Sequence, residues 1–91
     1  MPISVFNAED HPILQKGVTE LIQETGDMQW VESANKGRDA LDKIRSIQPD
    51  ISLLGIEIPF LTGIEIARTL IKEKSNTQAV LLTLLYDESF I

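Results

Sequence analysis

Three acidic residues in this sequence could support chemistry on a metal ion or a phosphoryl group. Glu9 and Asp10 are adjacent and follow an apolar run, and Glu57 follows a second apolar run. Carboxylates together with a backbone carbonyl are the hard oxygen ligands that Mg²⁺ prefers. The alternative for Glu9 and Asp10 is a helix start, where negative charge is favourable. His11, the only histidine, is interpreted as a surface residue at that helix start.

The elements that would position these residues are predicted from the spacing of apolar side chains. Short β-branched or apolar runs alternate with longer segments in which apolar residues recur at helical spacing. Strands are predicted over 3–6, 28–31, 51–54 and 79–84, and helices over 12–24, over 38–47 and from 62 onward. Strands joined by crossovers of this length run parallel with right-handed connections, so helices cover both faces of the sheet. The predicted fold class is therefore α/β, a doubly wound parallel sheet.

The same spacing predicts which side chains are buried. Phe6 and Trp30 are expected to be core aromatics, and Gly26 is expected to end the first helix. Thr62 and Glu65 fit a capping box at the start of the third helix. The predicted apolar stripes of the three helices are Leu14, Val18, Leu21 and Ile22; Leu41, Ile44 and Ile47; and Ile64, Ala67, Leu70 and Ile71.

A doubly wound sheet binds ligands beyond the carboxyl ends of its strands, at the point where the strand order reverses. Glu9 and Asp10 follow the first predicted strand. Gly55 and Glu57 follow the third, and Thr83 lies near the end of the fourth. We therefore expect these residues to converge at one edge of the sheet.

Four segments together resemble the receiver domain of bacterial response regulators (CheY-like). Residues 5–14, VFNAEDHPIL, resemble its acidic opening, and residues 49–59 its third strand and phosphorylation loop. Residues 62–65 resemble the start of its third helix, and residues 82–83 the end of its fourth strand. The resemblance implies a flavodoxin-like receiver fold and a sensor histidine kinase as partner. It also implies magnesium held by Glu9, Asp10 and the Glu57 carbonyl, with Thr83 as a switch residue. Residues 10–12, Asp-His-Pro, further resemble the subgroup whose output domain is a LuxR-type helix-turn-helix.

The main departure from that family lies at position 55. Gly55 stands where the family has its phosphoacceptor aspartate, and without a carboxylate no acyl phosphate can form there. One magnesium ligand is lost with the aspartate, so any magnesium affinity should be weakened. Phe60 replaces a glycine of the family, and it either covers the mouth of the pocket or is an exposed loop residue. Whether Gly55 reflects natural decay or deliberate mutation stays open.

The resemblance also leads us to expect an incomplete receiver. Residues 1–91 are predicted to form one domain, truncated after the fourth strand, in which the family's fifth strand with its lysine and its last helices are missing or partial. The uncovered edge of the strand over 79–84 is then expected to pair with a second copy and form a homodimer.

Composition excludes several classes of function. Eight basic and fourteen acidic residues give a net charge of −6, and the basic residues are dispersed among acidic neighbours. Direct nucleic-acid binding by this domain is therefore not expected. The apolar runs are too short to cross a bilayer and no signal peptide is apparent, so no membrane association is expected. The absence of cysteine is consistent with the expected cytoplasmic location.

Three functions remain after these exclusions. The first is a non-enzymatic receiver that cannot be phosphorylated at Gly55 and acts by protein–protein interaction. The second is an inactive fragment of a phosphorylation-controlled, DNA-binding transcription regulator. The third is residual magnesium-dependent phosphotransfer, with Ser52, Glu57 or Asp87 as the acceptor.

Overall fold

The computed structural model describes residues 2–82, which form four strands and three helices in alternation. The strands are β1 (Ile3–Ala8), β2 (Met28–Ala34), β3 (Ile51–Gly55) and β4 (Gln78–Leu82), and the helices are α1 (Pro12–Glu24), α2 (Gly37–Ile47) and α3 (Gly63–Lys72). The predicted alternation is confirmed, and β1, β2 and β3 extend further at their carboxyl ends than predicted. Residues 83–84 of the predicted fourth strand lie outside the described residues.

The sheet has the strand order β2-β1-β3-β4, and every neighbouring pair is parallel. The chain steps from β1 to one side to form β2, and then crosses to the other side for β3 and β4. Because such crossovers are right-handed, α1 lies on one face of the sheet and α2 and α3 lie on the other. Contacts between α2 and α3 agree with this arrangement. The predicted doubly wound α/β class is confirmed, and the strand order reverses between β1 and β3.

The hydrophobic core lies between the sheet and the pair α2 and α3. The buried cluster consists of Phe6, Ala8, Ala34, Ala40, Leu41, Ile44, Leu54, Ile58, Ile66 and Leu70. Phe6 is a core aromatic, as predicted. Trp30 is only half-buried because β2 is an outer strand, and its indole N–H donates to the Ser33 hydroxyl at 2.8 Å. The expectation that Trp30 belongs to the core was therefore wrong.

Several apolar side chains assigned to buried stripes are exposed instead, namely Leu21, Ile47, Ile64 and Ile71. Leu21 lies at the edge of the predicted stripe of α1, and Ile47 lies in the last turn of α2. In α3 the predicted stripe is confirmed for Leu70, which is buried, and for Ala67, which packs against the core, but it missed the fully buried Ile66. Gly63 lets the start of α3 lie against the carbonyl of Gly55, a contact that a Cβ atom would block. This contact turns the face with Gly63, Ile66 and Leu70 toward the sheet.

The predicted helix-end signals are largely confirmed. Gly26 follows the end of α1 with a φ of 75°, in the left-handed region that favours glycine. Thr62 caps α3, because its hydroxyl accepts a hydrogen bond from the Glu65 backbone N–H at 3.2 Å. The Glu65 carboxylate accepts from the Thr62 hydroxyl at 3.1 Å. The threonine's part of the capping box is therefore confirmed, whereas the glutamate bonds the hydroxyl and not the backbone.

The helices α1, α2 and α3 have 13, 11 and 10 residues. Within residues 2–82, no helix combines the length and the apolar character needed to cross a membrane.

Candidate functional site

The candidate site lies where β1 and β3 end side by side. Ala8 pairs with Leu54 in parallel register, so Glu9 follows β1 next to Gly55, the last residue of β3. A Cβ atom built on Gly55 would lie 2.5 Å from Oε2 of Glu9. The fold thus places two of the predicted site residues side by side. Thr83 lies outside the described residues, so its switch role stays a prediction.

The Glu9 carboxylate is buried and held by several donors. Glu9 is 4% exposed. Its Oε1 accepts hydrogen bonds from the backbone N–H groups of Asp10 at 3.1 Å and of His11 at 3.2 Å. Nδ1 of His11 lies 2.7 Å from the same oxygen. These donors precede α1, which has no side-chain cap and no acidic residue in its first turn, so the alternative in which Glu9 and Asp10 cap the helix start is not supported.

His11 has a part in the site that its sequence position did not indicate. Its imidazole is 55% exposed and is hydrogen bonded to the buried Glu9. The hydrogen bond to Glu9, followed by the charge of Glu9, raises the pKa of His11; desolvation opposes the rise, and the charges of Asp10 and Glu57 contribute least. Carboxylates from the ends of β1 and β3 therefore act on one imidazole. The acidic residue two positions before His11 is the signal that sequence reasoning overlooked.

The predicted magnesium ligands lie near the carboxyl ends of β1 and β3. Residues 2–82 contain no group of three or more His, Cys, Asp or Glu side chains that could hold a metal ion. Glu9 already uses one oxygen for three donors, and Asp10 and Glu57 are exposed. Weak magnesium binding by Glu9, Asp10 and the Glu57 carbonyl therefore stays a prediction.

In the loop between β3 and α3, Ile58 is buried in the core and Phe60 is exposed to solvent. Ile58 is 3% exposed, and the Pro59 carbonyl accepts a hydrogen bond from the Gly37 backbone N–H at 2.9 Å. Phe60 is 78% exposed and has a φ of 73°, a left-handed conformation that costs roughly 1–3 kcal/mol in a residue with a side chain. Of the two alternatives for Phe60, the exposed loop residue is therefore correct.

The side chains considered as substitute phosphoryl acceptors are not equivalent. Ser52 is fully buried within β3, and its hydroxyl is hydrogen bonded to the Thr77 hydroxyl at 2.7 Å. The Ser52 hydroxyl is therefore not accessible to a phosphodonor in solution. Glu57 is exposed. Asp87 lies outside the described residues.

Gln15, in the first turn of α1, joins the ends of β1 and β2. Its Nε2 donates to the Glu9 carbonyl at 3.1 Å and to the Ala34 carbonyl at 3.0 Å. Nδ2 of the buried Asn7 donates to the Gln15 carbonyl at 3.2 Å, and Oδ1 of Asn7 has no partner among the described residues. These bonds position the backbone of Glu9. Sequence reasoning missed them because isolated polar residues produce no periodic signal.

Comparisons with known proteins agree with this fold. The family model for the response regulator receiver domain matches residues 5–91. Response regulator GacA of Pseudomonas viridiflava is 27% identical over 88 residues, which are 97% of this chain and 41% of GacA. Transcriptional regulatory protein DesR of Bacillus subtilis is 35% identical over 81 residues, 89% of this chain and 40% of DesR. A LuxR-family DNA-binding response regulator from Staphylococcus aureus superposes with a TM-score of 0.87 at 27% identity, covering 97% of this chain and 73% of that structure.

These matches establish the family and the relationship to DNA-binding regulators. The chain spans well under half the length of the curated relatives named above. The LuxR-family structure agrees with the subgroup that Asp10, His11 and Pro12 indicated. Since the family model covers nearly the whole sequence and the strand order is that of the matched fold, the chain belongs to the response regulator receiver domain family of two-component signal transduction.

Proposed function

We propose that this receiver domain passes its signal through protein–protein contacts, without a phosphorylated state at position 55 and without catalysing a reaction of its own. Gly55 is the observation that carries the proposal. It ends β3 at the edge where the family's acceptor aspartate would stand. An acyl phosphate forms when a carboxylate oxygen attacks a phosphodonor, and glycine has no such oxygen in a side chain.

The neighbouring side chains support the proposal because they offer no ready substitute. Glu9 is the carboxylate nearest to the missing side chain, but it is 4% exposed and one of its oxygens has three donors. The Ser52 hydroxyl is fully buried. A phosphodonor in solution would reach either group only after a rearrangement of β3 or of the turn before α1.

Incubation with acetyl phosphate and Mg²⁺, followed by intact mass spectrometry, tests this proposal. We expect the mass to remain that of the unmodified chain. A receiver domain of the same family that keeps the acceptor aspartate is the positive control for the phosphodonor. The addition of one phosphoryl group to this chain, on any residue of the acidic edge, would contradict the proposal and revive residual phosphotransfer.

We also propose that two copies associate through the exposed edge of the fourth strand, which was predicted over residues 79–84. Within residues 2–82, β4 pairs only with β3 and so presents one unpaired edge. Val80 and Leu81 on this strand are 41% and 44% exposed. Exposed apolar strand edges favour pairing with another strand, and a two-fold axis would make the two β4 strands antiparallel.

Size-exclusion chromatography with light scattering at micromolar concentration tests the association. We expect a dimer for the wild-type chain and a monomer for Val80→Lys, since lysine on an edge strand opposes strand pairing. Ile13→Lys is the matched control, because it places the same charge at a residue of α1 that is 89% exposed. A wild-type chain that is entirely monomeric would contradict the proposed dimer.

A second candidate function is favoured by the length of the relatives. GacA and DesR extend well beyond the matched region, and DesR is a transcriptional regulatory protein. Under this second function, the chain is the inactive receiver domain of a longer, cytoplasmic, DNA-binding regulator. A sensor histidine kinase would be the partner of that regulator. DNA contact would then belong to another domain, since this chain has a net charge of −6. Sequencing the gene around codon 55 and past codon 91 distinguishes the two candidates.

A further inference from the structure

We propose that a second copy pairs with β4 in one specific register, in which the two Val80 residues lie opposite each other at the two-fold axis. The inference rests on the proposed association through the edge of β4, and it adds the pairing register and the contacts that follow from it. In this register, the Leu81 side chain of each copy enters a depression between α3 and β4 of the other copy.

The direction of the backbone groups in β4 determines which residues face the free edge. The Gln78 N–H donates to the carbonyl of the residue before β3 at 2.8 Å, and the Leu82 carbonyl accepts from the N–H of the residue after β3 at 3.2 Å. Alternate residues of a strand direct these groups to the same side, so those of Val80 also point toward β3. The N–H and carbonyl groups of Ala79 and Leu81 therefore point to the free edge.

A register centred on Val80 satisfies all of these outward groups within β4 itself. Ala79 then lies opposite Leu81 of the second copy, and the reverse pair is identical by symmetry, so each pair exchanges two hydrogen bonds. A register centred on Ala79 would pair Leu81 with Thr77, whose N–H already donates to a side chain of its own turn. A register centred on Leu81 would pair Ala79 with position 83, outside the described residues.

The side chains on the α3 side of the sheet fit the register centred on Val80. Ala79 packs against the core cluster and, with Leu70 and Ile71 of α3, lines a depression of about 190 Å³. Leu81 of the second copy lies opposite Ala79, and directly opposed residues project from the same face of a sheet. The Leu81 side chain, 44% exposed in a single copy, therefore points into this depression beside an alanine that leaves room for it.

The position of α3 is compatible with the same arrangement. Because α3 contacts both β3 and β4, two-fold pairing places the α3 axes of the two copies about two strand spacings apart. This separation is roughly 10 Å, which is the distance between packed helices. Ile71, 75% exposed in a single copy, lies on the β4 side of α3 and becomes covered. On the opposite face, the 41% exposed Val80 contacts Val80 of the second copy.

Single-cysteine cross-linking of the 91-residue chain tests the register, since the wild-type sequence contains no cysteine. Opposed residues in a non-hydrogen-bonded antiparallel pair have Cα atoms about 4.5 Å apart, within the range that a disulfide spans. Gln78→Cys is the matched control on the same strand and face, because its two copies would lie roughly 13 Å apart. We expect Val80→Cys to form a covalent dimer at least about tenfold faster than Gln78→Cys under mild oxidation, as measured by non-reducing electrophoresis.

Leu81→Ala tests the contact with the depression by a second measurement. Light scattering over a dilution series should show that this variant raises the dissociation constant of the dimer about tenfold or more, because the depression is left empty. Ile3→Ala shortens a side chain of similar exposure, 42%, on the interior strand β1. It should change the dissociation constant by less than about threefold.

The outcomes distinguish the register from the association itself. A disulfide that forms in Ala79→Cys or Leu81→Cys but not in Val80→Cys would indicate another register and overturn the inference, while a dimeric wild-type chain would still support the proposed association. Equal rates for Val80→Cys and Gln78→Cys, or an unchanged dissociation constant for Leu81→Ala, would also overturn it. A wild-type chain that is entirely monomeric would overturn both the association and the register.

Discussion

Nδ1 of His11 lies 2.7 Å from Oε1 of Glu9, so an exposed imidazole is hydrogen bonded to a buried carboxylate at the edge of the sheet. Protonation of the imidazole turns this hydrogen bond into an ion pair. The contact links the turn before α1 to the space above Gly55, and its strength should be visible in the titration of His11.

We predict that the pKa of His11 lies above its ordinary value in the metal-free protein, because the hydrogen bond and charge of Glu9 favour the imidazolium form. An NMR titration of the imidazole measures this pKa, and Glu9→Gln should lower it. Since the folded-state pKa is raised, the pair's contribution to stability is complete below the pKa of the unfolded chain. It is lost as the pH rises through the folded-state pKa. An unshifted wild-type histidine would contradict the contact.

The second prediction concerns Asp50, which precedes β3. The backbone N–H and the hydroxyl of Ser4 donate to its Oδ2 at 2.8 and 3.0 Å, and these hydrogen bonds lower the pKa of Asp50. A lowered folded-state pKa means that Asp50 adds stability above the pKa of the unfolded chain and loses it as the pH falls through the folded-state pKa. Asp50→Asn should therefore lower Tm at neutral pH. The difference in Tm between this variant and the wild type should become smaller as the pH is lowered.

The control for Asp50 is Asp42→Asn, which removes a charge from a side chain that is 78% exposed. It should change Tm less at every pH. A difference between Asp50→Asn and the wild type that stays constant down to strongly acidic pH would show that the hydrogen bonds from Ser4 are not the cause.

The third prediction tests which face of α3 is buried. Ile66 is fully buried, whereas Ile64 is 39% exposed. Ile66→Ala should lower the free energy of unfolding by about 2–5 kcal/mol, because it leaves a cavity in the core. Ile64→Ala removes the same atoms from a partly exposed site and should cost at most about 1 kcal/mol. Denaturant unfolding of both variants measures the difference, and similar losses would refute the assigned face.

The fourth prediction concerns Gly37, the first residue of α2. A Cβ atom at this position would collide with the backbone carbonyl of Leu61, and a backbone atom cannot move aside as a side chain can. Gly37→Ala should therefore lower the free energy of unfolding by about 1–3 kcal/mol. Gly17→Ala, in the interior of α1 with open space around it, should instead raise it by about 0.5–1 kcal/mol. Equal effects of the two substitutions would contradict the close packing of α2 on the loop.

Much of the fold could be predicted because its signals are local. The alternation of apolar runs with helical spacing indicated every described strand and helix, and the length of the crossovers required parallel strands. The error in α3 arose where two local patterns overlap. Residues 64–71 contain apolar side chains on two faces of α3, and periodicity alone does not rank them. The contact of Gly63 with the Gly55 carbonyl, between distant elements, selected the face.

By itself, the sequence determined that position 55 has no carboxylate and that Glu9 and Gly55 follow strands that end at one edge. Those conclusions depend on residue identity and on the order of elements, which are properties of the chain. Only the tertiary structure decided that Oε2 of Glu9 lies over Gly55 and that His11 holds the same carboxylate. The physical reason is that such contacts depend on side-chain directions and on the exact placement of β1 beside β3, which no periodic pattern encodes.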